Sequence, residues 1–244
     1  MTVSTRRQLL AATALVALAR VAPPAEAATG MPWSANEAYP PTPVVPGPWL
    51  FFNADEAQAV EAIVDRLIPA DELGPGGRAA GCAVFIDRQL TGPYGTHEWL
   101  YMQGPFPSDP LPSQGMQSPL TPRQQYRQGL AALAEYCRTT FAGKTFHQLA
   151  PVDQDRVLTG LEKGDIHLNG FSGTMLFNAL LANTMEGFFA DPIYGGNKDM
   201  CGWKLVGFPG TRYDYRDVIA NPNKPYTLPP VSLQGRPEWN RSAG

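Results

Sequence analysis

The sequence predicts a mainly α fold of about five helices, with long Gly/Pro-rich loops and extended arms at both ends. Three observations lead there. Apolar residues recur at helical spacing in five separate segments. No alternating β-branched run is long enough to found a sheet; Lys204-Leu205-Val206-Gly207-Phe208 is at most one short strand. The 25 prolines and 24 glycines gather between and outside the helical segments.

The chain opens with a leader. Thr5-Arg6-Arg7-Gln8-Leu9-Leu10 sets Arg6 and Arg7 before an apolar run from Leu9 to Ala19, and Ala25-Glu26-Ala27 has the small-x-small form of a cleavage site. Charge, apolar stretch and cleavage site in that order read as a secretory signal over residues 1–27, and the paired arginines make it a twin-arginine one. That route exports folded proteins, so the expected location is the periplasm. The apolar run is much shorter than the ~20 residues that span a bilayer. The signal carries three of the 19 basic and one of the 22 acidic side chains, which leaves 16 and 21 and a net charge of −5. That balance argues against nucleic acid, which selects basic surfaces. No later segment is apolar over 18 residues, so the mature chain is not expected to span a membrane.

Residues 28–50 read as an extended, polyproline-like arm, because Pro40, Pro41, Pro43, Pro46 and Pro48 forbid a helix. The helical domain is expected over 51–219. Asn53 reads as an N-cap with Asp55 and Glu56 in the first turn, followed by the stripe Ala59, Val60, Ile63, Val64, Leu67 and a stop at Pro69. A second helix is expected from about Arg78 to Leu90 on the face Cys82, Phe85, Ile86, Leu90, ended by Gly92-Pro93. Residues 92–120 read as a long aromatic loop carrying Tyr94, Trp99, Tyr101 and Phe106; loops of that length are usually functional. Thr121-Pro122 opens a third helix with the face Tyr126, Leu130, Leu133, Cys137, Phe141. Pro151 to about Lys163 forms a fourth and Phe171 to Phe189 a fifth. Helical spacing then stops. Residues 220–244 read as a proline-rich tail.

Signatures of catalysis are missing: there is no GxSxG, GxGxxG, Walker or HExxH motif, and no CxxCH for haem attachment. Asp165 and His167 make a metal-like pair, but a metal needs three or four ligands. Asp71-Glu72 could serve as paired acids, although local turn chemistry explains Asp71 as well. Asp65-Arg66 and Asp87-Arg88 read as surface charge on polar helix faces. Cys82 and Cys137 fall on apolar faces and could be bridged; two buried free thiols fit the same pattern. The most unusual segment runs from Asp191 to Trp203. Gly195, Gly196 and Asn197 suit a tight turn, and Tyr194, Met200 and Trp203 are large contact-making residues held on it together with Asp191 and Asp199.

Long stretches carry a family resemblance: Leu67-Ile68-Pro69-Ala70-Asp71-Glu72, Phe85-Ile86-Asp87-Arg88-Gln89-Leu90, Gly92-Pro93-Tyr94-Gly95, Thr184-Met185-Glu186-Gly187-Phe188-Phe189, and the residues from Asp191 through Gly210. Together they resemble the gluconate 2-dehydrogenase subunit 3 family over about residues 50–217. The resemblance implies the small subunit of a membrane-associated periplasmic dehydrogenase of a sugar, sugar acid or polyol. It implies an FAD flavoprotein of the glucose–methanol–choline type as large partner, a multihaem cytochrome c as a further subunit, and no cofactor in this chain. It implies a role in maturation and export of the flavoprotein, with no catalytic residues to carry over. On that basis Tyr94, Trp99, Tyr101 and Phe106, with Asp191, Tyr194, Gly195, Gly196, Asn197, Asp199, Met200 and Trp203, are the expected interface. Two alternatives stay open at this point: a hydrolase using Asp71, Glu72 or Asp199, and a free-standing periplasmic ligand-binding protein.

Overall fold

Five helices of ten residues or more stand in the computed structural model, which describes residues 47–107, 111–115, 117–212, 215–219 and 222–233. All of these belong to one unit, Asn36–Gly244. The signal with Arg6 and Arg7, and the first arm up to residue 46, lie outside the described residues. In chain order the α-helices are α1 (Ala54–Leu67), α2 (Cys82–Thr91), α3 (Pro93–Thr96), α4 (Pro122–Thr140), α5 (Pro151–Lys163), α6 (Gly173–Phe189), α7 (Cys201–Val206) and α8 (Arg216–Ile219). Among the described residues there is no strand, only isolated bridges, and no helix is long and apolar enough to cross a membrane.

Local chemistry sets the helix ends. The Asn53 side chain accepts from the Glu56 amide at 2.9 Å while Glu56 accepts from the Asn53 amide at 3.0 Å, a reciprocal cap that starts α1. α2 starts at Cys82 and not at Arg78, because Gly81 is left-handed (φ 82°) and residues 78–81 form a turn. Its last carbonyls, of Leu90 and Thr91, are capped by the Arg123 guanidinium from α4. α6 starts two residues later than the apolar pattern suggests, because the Ser172 hydroxyl accepts from the Met175 amide.

α6 is the centre of the domain. It packs against α1, α2, α4 and α5, and it buries Leu176, Phe177, Leu180 and Phe188 among them. A helix apolar around most of its circumference belongs inside. Val60, Ile63 and Val64 of α1, Ile86 and Leu90 of α2, Tyr126 and Leu133 of α4 and Leu161 of α5 complete one continuous core.

Four expectations change. The 92–120 stretch is broken by α3 and by a 3-10 turn at Pro112–Gln114. Lys204-Leu205-Val206 lies in helix α7 and is not a strand. Asp87 is not surface charge but fully buried at 0% exposure. Its carboxylate accepts the amides of Leu50, Phe51 and Phe52, each at 2.9 Å, and pairs with Arg88 at 2.6 Å. This clamp fastens the incoming chain to α2, and Arg88 adds a bond to the Pro48 carbonyl. Finally, Cys82, Cys137 and Cys201 are all free thiols, so Cys82 and Cys137 are not bridged. Both pack as small apolar groups in the core. Burial pushes the Cys82 thiol up to about 12, with nearby Cys201 adding to the rise. Burial pushes Cys137 up to about 11, with Arg138 opposing.

Part of the C-terminal tail docks on the domain. Val231 bridges Gly210 in parallel, its carbonyl accepts the Thr211 amide at 2.7 Å, and its side chain is buried. Arg212 donates to the Pro229 carbonyl at 2.6 Å. Residues 234–244 lie outside the described residues.

Candidate functional site

The turn after α6 is built from the inside out. Asp191 ends the helix: one carboxylate oxygen accepts the Ile193 amide at 3.0 Å and the other accepts the Leu233 amide at 2.9 Å. Pro192–Tyr194 then makes one 3-10 turn. Gly196 lies against α6 so closely that a Cβ there would sit 2.2 Å from the Gly187 carbonyl oxygen, so only glycine fits. Asn197 is buried. Its amide group donates to the Ala190 carbonyl and its oxygen accepts from the Gly202 amide, both at 2.8 Å. The Lys198 amide reaches the Ala80 carbonyl at 3.0 Å, which ties the turn to the start of α2.

Asn197, Asp199 and Met200 all have positive φ (47°, 56° and 57°). Three such residues within four positions cost about 1–3 kcal/mol each and persist only where the surroundings over-determine them. Here the Asn197 bonds and the burial of Met200 do that. Trp203 is 5% exposed, donates its indole N–H to the Phe189 carbonyl at 2.7 Å and meets Phe208 edge to face.

The expected interface residues therefore divide. Asp191, Gly196, Asn197, Met200 and Trp203 are buried in the chain's own fold, and they hold the turn. Gly195 is half-buried, and Asp199 and Tyr194 face solvent, Tyr194 at 51%. The aromatic loop is different. Trp99, Leu100 and Tyr101 are consecutive and 82%, 60% and 81% exposed. Phe106 is half-buried. The loop leaves α3 through His97, which is left-handed and whose Nδ1 lies 3.1 Å from the Met102 sulfur. Burial pushes the His97 pKa down.

Tyr94, on α3, joins the loop to the core. Its hydroxyl donates to the Asn183 side-chain oxygen at 3.2 Å, and the buried Tyr126 hydroxyl donates to the same oxygen at 2.8 Å. The Asn183 amide group donates to Glu186 at 2.9 Å. This relay and the Asp87 clamp were missed in the sequence. Asp87 had a signal: Ala83, Ile86, Asp87 and Leu90 share one helix face, so an acid stands on an apolar stripe. Asn183 had a weaker one, an amide three residues after Leu180 and five before Phe188 in a largely apolar helix.

The residues weighed for catalysis do other things. Asp71 accepts the amides of Leu73 and Gly74 at 2.8 and 3.2 Å, which closes an Asx turn, and both Asp71 and Glu72 are exposed. Asp165 and His167 are exposed loop residues. Asp65 accepts the Arg78 amide at 3.3 Å, and Arg66 makes a two-pronged pair with Asp155 at 2.7 Å. Among the described residues no three His, Cys, Asp or Glu side chains gather as metal ligands.

A family model described as "Gluconate 2-dehydrogenase subunit 3" matches residues 54–210. That span begins at the first residue of α1 and takes in the aromatic loop, the relay and the turn. Comparison with curated proteins and with solved structures yields no match.

Proposed function

Because the chain belongs to the gluconate 2-dehydrogenase subunit 3 family, we propose that it is the small, non-catalytic subunit of a membrane-associated, FAD-dependent dehydrogenase of a sugar, sugar acid or polyol. In this reading FAD belongs to a large glucose–methanol–choline-type subunit and haem c to a cytochrome subunit, and this chain holds neither. It supports the maturation and stability of the flavoprotein and its export to the periplasm by the twin-arginine route.

The observation that supports this most is the aromatic loop. Trp99, Leu100 and Tyr101 form a run of three consecutive large apolar side chains that stand in water, outside the closed core. Large apolar side chains exposed in sequence mark a surface that something covers. Tryptophan and tyrosine are also the side chains that most often dominate interface energy, at ~2 kcal/mol or more when truncated. Tyr94 anchors the base of the loop to Asn183, which limits the ordering cost of binding. The test is the double variant Trp99→Ser, Tyr101→Ser. It is expected to keep the melting temperature of the isolated subunit and to lose the flavoprotein on co-purification. Unchanged co-purification would refute the loop as the interface.

A further inference from the structure

Between α2 and the end of α6 lies an open groove of about 560 Å³, lined by Phe85, Gln89, Glu186, Phe189, Ala190 and Tyr194. Three of its walls are aromatic and its charge is one carboxylate. Glu186 forms no ion pair with a lysine or arginine among the described residues. Its position is nonetheless set. Asn183 is buried, and its side-chain oxygen takes two hydroxyl donors, from Tyr94 and Tyr126. Both hydroxyls are protonated at neutral pH, as ordinary tyrosines are, and burial pushes their pKa further up. With the oxygen so occupied, the Asn183 NH2 group faces Glu186 and donates to one carboxylate oxygen at 2.9 Å. Among the described residues no second hydrogen bond reaches the Glu186 carboxylate, which lines the groove.

A carboxylate covered by a partner loses its water and must meet a cation, or the desolvation opposes binding. The aromatic walls select the kind of cation. A planar guanidinium stacks on an aromatic face while its N–H groups reach a carboxylate, which a compact ammonium does less well. We propose that this groove receives an arginine side chain of the flavoprotein subunit, paired with Glu186 and stacked against Tyr194 or Phe189. Gln89 is left to accept a remaining N–H. The inference rests on the subunit reading above and extends its interface, because Tyr94 links Glu186 through Asn183 to the base of the aromatic loop. This chain has cations of its own to compete. Arg236 and Arg241 follow Leu233, whose amide is bound to Asp191 beside Ala190 of the groove.

The experiment measures binding of the full chain to its co-expressed flavoprotein, as wild type, Glu186→Gln, Tyr194→Ala and a form ending at Leu233. Glu186→Gln keeps an acceptor for Asn183 and removes only the charge. It is expected to weaken Kd roughly 10- to 100-fold and to flatten its salt dependence, with the subunit's melting temperature unchanged. Tyr194→Ala is expected to weaken binding without changing the salt slope. The form ending at Leu233 is expected to bind as wild type does and to show unchanged hydrogen exchange over residues 186–194. Binding by Glu186→Gln within about twofold of wild type overturns the proposal. So does faster exchange at 186–194 in the shortened form, which would mean that the chain's own tail fills the groove. If the wild type itself does not bind the flavoprotein, the subunit reading falls, and this inference with it.

Discussion

Asp87→Ala should be among the most destabilising single changes in the chain. The carboxylate is fully buried and accepts three backbone amides at 2.9 Å, besides its pair with Arg88. Its removal strands the amides of Leu50, Phe51 and Phe52 and leaves the Arg88 guanidinium without its carboxylate. Breaking one partner out of a buried pair costs ~3–5 kcal/mol. The exposed end of the clamp, at Leu50, lowers the expectation to about 3–4 kcal/mol. For a chain of this size each kcal/mol moves Tm by about 2–4 °C, so the loss should be about 6–16 °C. Asp87→Asn keeps one acceptor oxygen but turns an NH2 group toward a backbone donor, so it should lose roughly half as much. The assay is thermal or urea unfolding of the purified subunit, joined to hydrogen exchange at residues 50–52. Those amides should lose protection in both variants while α6 keeps its own. A loss under about 1 kcal/mol for Asp87→Ala, or unchanged protection at 50–52, would refute the clamp.

Three further outcomes follow from the same structure. Trp203→Ala should cost the isolated subunit ~3–5 kcal/mol by cavity formation and loss of the bond to Phe189, whereas Tyr194→Ala should leave its Tm within about 2 °C; equal effects would contradict the division of the turn into buried and exposed residues. The raised Cys82 thiol makes stability depend on alkaline pH. The unfolded thiol ionises near its ordinary 9.0 and the folded one only near 12, so its contribution is complete below pH 9 and is lost as pH rises toward 12. Cys82→Ala should make the fall of the unfolding free energy with pH shallower in that window, the remainder coming from Cys137 and the raised tyrosines, and an unaltered slope would argue against a buried neutral thiol. Replacing Arg6 and Arg7 by Lys should leave the chain in the cytoplasm, and a fractionation that still finds it in the periplasm at wild-type level would exclude the twin-arginine route.

The five helices were legible because each carries an apolar stripe at period 3.6 with a start or stop residue beside it, as Asn53 and Pro69 bound α1. α7 was not legible. Its six residues are too few to show a period, and it is held in place by Asn197 accepting the Gly202 amide and by burial of Trp203. The candidate site was half legible. The glycines and Asn197 announced a tight turn, but composition does not distinguish an aromatic that covers its own domain from one that waits for a partner. Trp203 and Trp99 look alike in the sequence; one is buried on α7 and the other stands in water. Asp87 was misjudged because charge next to arginine reads as solvated surface. Its depth appears only when the chain before α1 folds back over α2, a contact between residues 35 to 37 positions apart.

The most direct test of the subunit assignment is an affinity tag on the C-terminus of this chain, expressed in its own host with the neighbouring genes intact. The purified material should be yellow, with flavin absorbance carried by a second, larger polypeptide in fixed ratio, and it should oxidise a sugar, sugar acid or polyol that the tagged chain alone does not. A colourless chain that elutes by itself from the periplasmic fraction, with the flavoprotein exported and active in its absence, would contradict it.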